Sequence, residues 1–359
     1  MEPLSSELLR FVLEYREKSV SQSFEELLTN EINIAEGIRS IASKSQQHLR
    51  EFLDGESSRD QSFPSILKSI DSDFLGGSFA RHTKVRPLDD IDIYLPLDGA
   101  ALFYVAHDGT PLPYWVASDR LAFYNVLLEP RWAIGSLVSS SKLIDGFAAV
   151  LKRRFPNTSI KPDGQAVNVR MTQGASDSSD GLGYDVVPCF SLAPKVGSGQ
   201  SFYLIADGNN GWIRTNPRID ANVADVLQDS NGKIFRKVVK IIKYWNLEAL
   251  DGALSSYFIE LAIARLFWAR NVNSESLTKL SYGVAVGFWA VQQAVANGGQ
   301  LPWLDGAPHV VPGTALAGHR LRLSSSTSLA CGAWEDEKAR RFVSATAKWK
   351  QVFGPSFPD

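Results

Sequence analysis

The chain has 359 residues, 44% of them apolar and 21% charged, and its 37 Lys and Arg against 39 Asp and Glu leave a formal charge of −2. That length makes one large domain or two intimate ones, with core enough that neither disulfide nor structural metal is needed for folding. A pI near 6.3 excludes a protein that coats nucleic acid through a broad basic surface. Cys189 and Cys331, far apart and outside any C-x-x-C spacing, exclude a zinc ribbon and fit a reducing interior. The acidic start Met1-Glu2-Pro3-Leu4 is no signal peptide, and the apolar run 284–296, broken by Gln292 and Gln293, is too short for a bilayer. A soluble, cytoplasmic protein without membrane partners is expected.

In chain order, Leu8, Leu9, Val12 and Leu13, then Ile32, Ile34, Ile38 and Ile41, recur mostly at three- and four-residue steps, which predicts helices up to about Leu53. Polar residues 54–62 end this stretch. Ile91-Asp92-Ile93-Tyr94-Leu95 alternates as a strand and stops at Pro96. A helix is predicted over 137–155, closed by Arg153, Arg154 and Pro156, and further strands over 166–171 and 184–190. From about Asn222 the pattern turns helical. Five of the nine tryptophans follow Glu260 and are expected as core anchors of a helical lobe. The fold class is α+β, with divisions at 1–60 (helical spine), 61–205 (α+β core) and 206–359 (helical lobe).

Chemistry concentrates in Gly76-Gly77-Ser78-Phe79-Ala80-Arg81-His82-Thr83 and the following Asp89-Asp90-Ile91-Asp92-Ile93. Strand alternation puts Asp90 and Asp92 on one face and the isoleucines on the other. Two carboxylates one strand step apart suit Mg²⁺, which takes one or two carboxylates together with phosphate oxygens. Gly77-Ser78 offers a backbone that phosphate can approach closely and a hydroxyl donor. Without such a partner the same pattern is a surface turn followed by a charged strand edge. A third carboxylate, Asp185 in Gly183-Tyr184-Asp185-Val186-Val187-Pro188, stands in an apolar strand, where an unpaired charge is costly and a metal would relieve it. It can equally be a strand-end aspartate near solvent. Three carboxylates permit two-metal phosphoryl chemistry, with ions about 3.5–4 Å apart. In a helix predicted over 234–246, Ile234, Val238, Ile241 and Trp245 form one stripe, and Arg236, Lys240 and Lys243 a basic one. A solvated basic face accounts for Arg236 and Lys240; a triphosphate clamp needs one cation of the three.

Gly77-Ser78, Asp90-x-Asp92 and an isolated Asp185 before Val-Val-Pro resemble the polymerase-β-like nucleotidyltransferase superfamily. More narrowly, the chain is similar to the bacterial CD-NTases, relatives of cyclic GMP-AMP synthase and oligoadenylate synthase that make cyclic oligonucleotide signals in anti-phage defence. Supporting stretches are Gly211-Trp212-Ile213-Arg214-Thr215-Asn216-Pro217, Lys243-Tyr244-Trp245-Asn246, Ser255-Ser256-Tyr257-Phe258-Ile259-Glu260 and Trp349-Lys350-Gln351-Val352-Phe353-Gly354. The resemblance runs from about residue 60 to the end. It implies a bilobal protein: a nucleotidyltransferase core, a helical lobe and a cleft between them. It also implies two Mg²⁺ (Mn²⁺ able to substitute) on Asp90, Asp92 and Asp185, with Asp185 helping to deprotonate the attacking ribose hydroxyl. Gly77, Ser78, Lys243 and Ser256 would hold the triphosphate, and Tyr257 would stack on a base unless it packs in the helical core. His82 departs from the family's Gly-Ser-x-x-x-Gly-Thr pattern and is expected to be structural.

The expected activity is Mg²⁺-dependent synthesis of a cyclic di- or trinucleotide from NTPs, ATP among them. Long nucleic acid is not expected as a partner; regulatory or effector proteins of a defence operon are, with the enzyme itself a monomer. One alternative is a template-independent transferase acting on RNA, protein or a small molecule; another is a degenerate nucleotide-binding scaffold, against which three intact carboxylates argue. The P-loop, H-E-x-x-H and G-x-S-x-G patterns do not occur, and no zinc insertion accompanies the core. The ending Gly354–Asp359 lacks a flexible small-residue tail, which speaks against conjugation through the C-terminus.

Overall fold

Ile91, Ile93 and Leu95 alternate with Asp92 and Tyr94, and in the structure all three are buried on one face of a strand. The structure is a computed structural model describing residues 20–67, 73–100, 102–106, 114–118, 125–171, 181–192, 202–269, 278–302, 310–312 and 318–358. The helical pattern read over residues 5–19 lies outside these. The described chain forms α1 (20–27, continuing as a π-helical turn Leu28–Ile32), α2 (Glu36–Arg59), β1 (Phe74–Leu75), α3 (Gly77–Ala80) and β2 (Ile91–Pro96). There follow β3 (Leu102–Ala106), β4 (Tyr114–Ser118), β5 (Ala133–Ile134), β6 (Leu137–Val138), α4 (Ser140–Arg154), β7 (Ser159–Asp163), β8 (Ala166–Met171) and β9 (Leu182–Leu192). Then come β10 (Phe202–Ala206), β11 (Trp212–Thr215), α5 (Pro217–Ser230), α6 (Phe235–Leu250), α7 (Ser256–Ala269), α8 (Leu280–Ala296), β12 (Gln300–Pro302), β13 (Val310–Pro312), α9 (Arg320–Lys338) and α10 (Phe342–Phe353). The fold is α+β.

The chain divides into two units. One comprises Ile34–Ala80 and Pro87–Ile219; the other comprises Met1–Asn33, Arg81–Arg86 and Asp220–Asp359. The expected spine 1–60 is thus shared between them, and β10 and β11 belong to the same unit as β9.

Among the described residues, the first unit is built on an 11-stranded mixed sheet. β2 lies beside β9 in parallel, β9 is antiparallel to β8 and β10, and β7–β8 form an antiparallel pair at that end. Helices α2 and α4 bury Leu49, Leu53, Leu143, Phe147 and Leu151 against Ile91, Ile93, Val167, Val169, Tyr184 and Val186. α4 starts later than predicted. Leu137 and Val138 pair with Ala133 and Ile134 as strand, and Ser139 caps the helix, its hydroxyl accepting from the Lys142 amide at 3.2 Å. Lys152, Arg153 and Arg154 close the last turn, where cations favour the helix dipole. Gly183 permits the close approach of β9 to residue 89: a Cβ there would lie 1.8 Å from the Asp89 carbonyl oxygen.

In the helical unit, α6 and α8 pack closely because Gly283 and Gly287 are small; a Cβ at either would press on Ile234 and Val238 or on Ile242 and Val238. The Trp349–Gly354 stretch serves packing: Phe24 meets Trp349 and Phe357 edge-on, each at 5.0 Å between centroids. The tryptophan expectation is corrected in part. Trp245 and Trp349 are core, whereas Trp268 is 55% and Trp289 44% exposed, and Trp303 lies outside the described residues. The basic stripe of α6 is not a solvated face either. Lys240 is buried with its ammonium on the Asn33 side-chain oxygen at 2.9 Å, and Arg236 donates to the Arg81 carbonyl at 2.9 Å and pairs with Asp225. Polar groups on neighbouring elements take up both cations.

His82 has φ of 58°, in the left-handed region that glycine tolerates. A glycine, as in the family's pattern, would adopt this conformation without the strain that His82 carries. His82→Gly is expected to raise unfolding free energy by about 0.5–1 kcal/mol, strain relief exceeding the added entropy of the unfolded chain. Gly183→Ala should cost about 3 kcal/mol or more, because backbone rather than a side chain blocks the new methyl. Urea unfolding of both variants checks the signs.

Candidate active site

The register between β2 and β9 sets Asp92 directly beside Asp185, and that between β9 and β8 sets Asn168 beside Asp185. Paired residues share a face, so two carboxylates and an amide stand abreast on three neighbouring strands. Asp90 precedes β2 on the same alternation and is near enough for its charge to act on Asp185. Gly77, with φ of 60°, is packed so tightly against this row that a Cβ would fall 1.6 Å from Asp92 Oδ2. The Gly77-Ser78 backbone is thereby held against a carboxylate, and β1 anchors it through the pairs Phe74–Tyr94 and Leu75–Ile93. Gly77, Ser78, Asp90, Asp92 and Asp185 are brought together in one unit.

Asp92 and Asp185 line a cavity of about 370 Å³ with Tyr94, Asp163, Gln165, Val187 and others. Burial pushes the Asp185 carboxyl above its ordinary range, a hydrogen bond from Asn168 opposes this, and the negative charges of Asp90 and Asp163 add to it. Asn168 Nδ2 donates to Asp185 Oδ1 at 2.8 Å. A half-buried carboxylate with like charges around it is the environment that a divalent cation relieves. Among the described residues no three His, Cys, Asp or Glu side chains gather tightly enough to enclose a metal by themselves. Asp92 and Asp185 are oxygen donors of the kind that Mg²⁺ takes together with phosphate and water, and would have to hold it with that help.

Lys243, Ser256 and Tyr257 belong to the helical unit. Lys243 is 2% exposed, ion-paired with Glu260, with its ammonium 3.3 Å from the Thr83 carbonyl oxygen. Burial lowers its pKa while Glu260 supports its charge. Glu260 also receives Arg81 through Nε at 2.8 Å and Nη2 at 3.2 Å, and despite burial the two cations hold its carboxyl down to about 2. Tyr257 lies under the Arg81 guanidinium at 5.5 Å and donates its hydroxyl to Asp220 at 3.0 Å. Its ring packs against the helical core. Ser256 is exposed on the first turn of α7, and its neighbour Ser255 makes the cap, accepting from the Phe258 amide at 3.1 Å. The sequence reading missed Asn168, Arg81 and Glu260 as site-associated residues. Glu260 ended a quoted motif, but pairing with Arg81, 179 positions away, left no local signal; Asn168 between two valines was the one sequence anomaly available.

No family model matches the chain. A probable cyclic nucleotide synthase of Bacillus cereus (strain VD146) is 27% identical over 262 residues, covering 70% of this chain and 72% of the relative. The structure of CdnC with ATP, from Escherichia coli MS115-1, superposes with a TM-score of 0.59 at 18% identity, over 94% of this chain and 98% of that one. The CdnC complex with HORMA-deltaN gives 0.58 at 16% identity with the same coverage. The fold is shared over nearly the whole length. The chain is thus similar in sequence to a probable cyclic nucleotide synthase and in fold to CdnC, in keeping with a nucleotidyltransferase of the CD-NTase kind.

Proposed function

We propose that this protein is a Mg²⁺-dependent synthase of a cyclic di- or trinucleotide, made from NTPs with ATP among them, and that its product is a signal in anti-phage defence. The observation that carries the reading is the Asp92–Asp185 pair, side by side on β2 and β9 at one cavity with the Gly77 backbone against Asp92. Kinship with a probable cyclic nucleotide synthase supports cyclisation over transfer to RNA or protein. The CdnC complexes with ATP and with a HORMA partner support ATP as substrate and a protein regulator.

When bound at Asp90, Asp92 and Asp185, two Mg²⁺ supply charge neutralisation for the triphosphate and the departing pyrophosphate. The remaining work falls to the chain. Gly77 and Ser78 hold the triphosphate of one NTP, while Lys243, Ser256 and Tyr257 stay candidate nucleotide contacts of the helical unit, as the resemblance implies. A ribose hydroxyl of the second nucleotide attacks the α-phosphorus. The new P–O bond forms as the bond to pyrophosphate breaks, and Asp185 accepts the hydroxyl proton. A second transfer within the linear product closes the ring.

Asp90→Ala and Asp92→Ala should each abolish pyrophosphate release, by at least about 10³-fold, with the circular dichroism and melting temperature of the parent. Incubation with all four NTPs and Mg²⁺ or Mn²⁺, phosphatase treatment and mass spectrometry reads the outcome; full activity in either variant, or label on added RNA or protein instead of a small resistant species, sinks the assignment. Removal of divalent metal by EDTA should stop turnover and Mn²⁺ should restore it. Gly77→Ala is expected to lose about 100-fold or more in rate, because the methyl must displace Asp92; a parental rate would separate Gly77 from the carboxylate row.

A further inference from the structure

Asn168 is out of place by local rules. It sits in the middle of β8 between the buried Val167 and Val169, and asparagine is depleted in strands because its amide competes with the backbone for hydrogen bonds. Its side chain is nevertheless fixed at both ends. The Nδ2 amide donates to Asp185 Oδ1 at 2.8 Å, and Arg170 Nε donates to Asn168 Oδ1 at 3.3 Å. An arginine has no acceptor, so the oxygen of the amide must face Arg170 and the NH₂ must face Asp185. Asn168 and Arg170 are two apart on β8 and share its face, while Asn168 and Asp185 are direct cross-strand partners.

We infer that Asn168, oriented by Arg170, is a positioning residue for nucleotidyl transfer: it pins Asp185 Oδ1 and so aims Oδ2 at the cavity shared with Asp92. The physical need is specific. An aspartate carboxylate rotates about two side-chain bonds, and the charges acting on this one are mixed, Asp90 and Asp163 repelling it and Arg170 attracting it. A donor held in the adjacent strand removes that freedom before substrate or metal arrives. The amide has no charge to compete with a cation for the carboxylate, which a lysine or arginine in its place would do. This inference rests on the nucleotidyl-transfer reading of the site.

The test uses the full chain with two readouts: Mn²⁺ affinity by calorimetry in the presence of α,β-methylene-ATP, and steady-state NTP turnover. Asn168→Ala should weaken Mn²⁺ binding about tenfold and lower kcat about 10–100-fold, with KM for NTP within about twofold and an unchanged melting temperature. Arg170→Met, at an exposed position, should move both readouts in the same direction by about threefold, because the amide becomes free to flip. Parental Mn²⁺ affinity and kcat in Asn168→Ala overturn the inference, as does a loss of activity that follows a lowered melting temperature with Mn²⁺ affinity intact. If the wild type binds Mn²⁺ but turns over no NTP, the synthase reading fails while the affinity difference between wild type and Asn168→Ala still decides the role of Asn168.

Discussion

The parallel pairing of β2 with β9 is the constraint on which the site depends. It joins two strands about ninety residues apart in sequence, and its register places Asp92 opposite Asp185. Strand side chains alternate with a period of two, so a slip of one residue would turn Asp185 into the apolar layer and bring Tyr184 or Val186 to the carboxylate face. That slip is opposed from both sides. Ile91, Ile93, Tyr184 and Val186 are completely buried beneath α2 and α4, and Gly183 admits the Asp89 carbonyl at a distance no other residue would allow. Burial of the apolar face thus fixes the polar face, and hydrophobic packing sets the geometry of the carboxylate row.

Charge is handled in two different ways in the two units. At the sheet, Asp90, Asp92 and Asp185 bring like charges together, and burial raises the Asp185 carboxyl further; under the proposed function, cations that come with the substrate would relieve this repulsion. In the helical unit, Arg81, Lys243 and Glu260 are buried and satisfy one another. A buried ion pair of this kind is costly to break because removing one member strands a charge in a low-dielectric interior. Lys243, read from the sequence as a triphosphate contact, therefore also has a structural task, holding Glu260 and the Thr83 carbonyl.

Several stretches that carried the family resemblance are explained by packing. Trp212 donates its indole N–H to the Val138 carbonyl at 3.1 Å, and Asn246 brackets the turn after α6 through both ends of its amide, at 2.9 and 3.0 Å to Leu254. Trp349 and Phe353 join the aromatic cluster around Phe24. Each holds an element in place by packing or backbone hydrogen bonds. Tyr257, expected to stack on a base unless it packs in the core, has its ring against the core and its hydroxyl on Asp220.

The amino-acid sequence by itself determined the α+β class, the strand bearing Asp92 and the helix bearing Lys243, and it carried the Gly-Ser and Asp-x-Asp pattern on which the proposed function rests. It could do so because alternation, helical periodicity and Gly-Ser or Asp-x-Asp spacing are local properties of the chain. The tertiary structure alone decided which residues stand beside one another: Asn168 against Asp185, Arg81 and Lys243 on Glu260, and Gly77 on Asp92. It also decided that Leu137 and Val138 are strand and that Trp268 and Trp289 are exposed. Cross-strand register and long-range ion pairing arise from burial summed over the whole fold, and no window of sequence contains that sum.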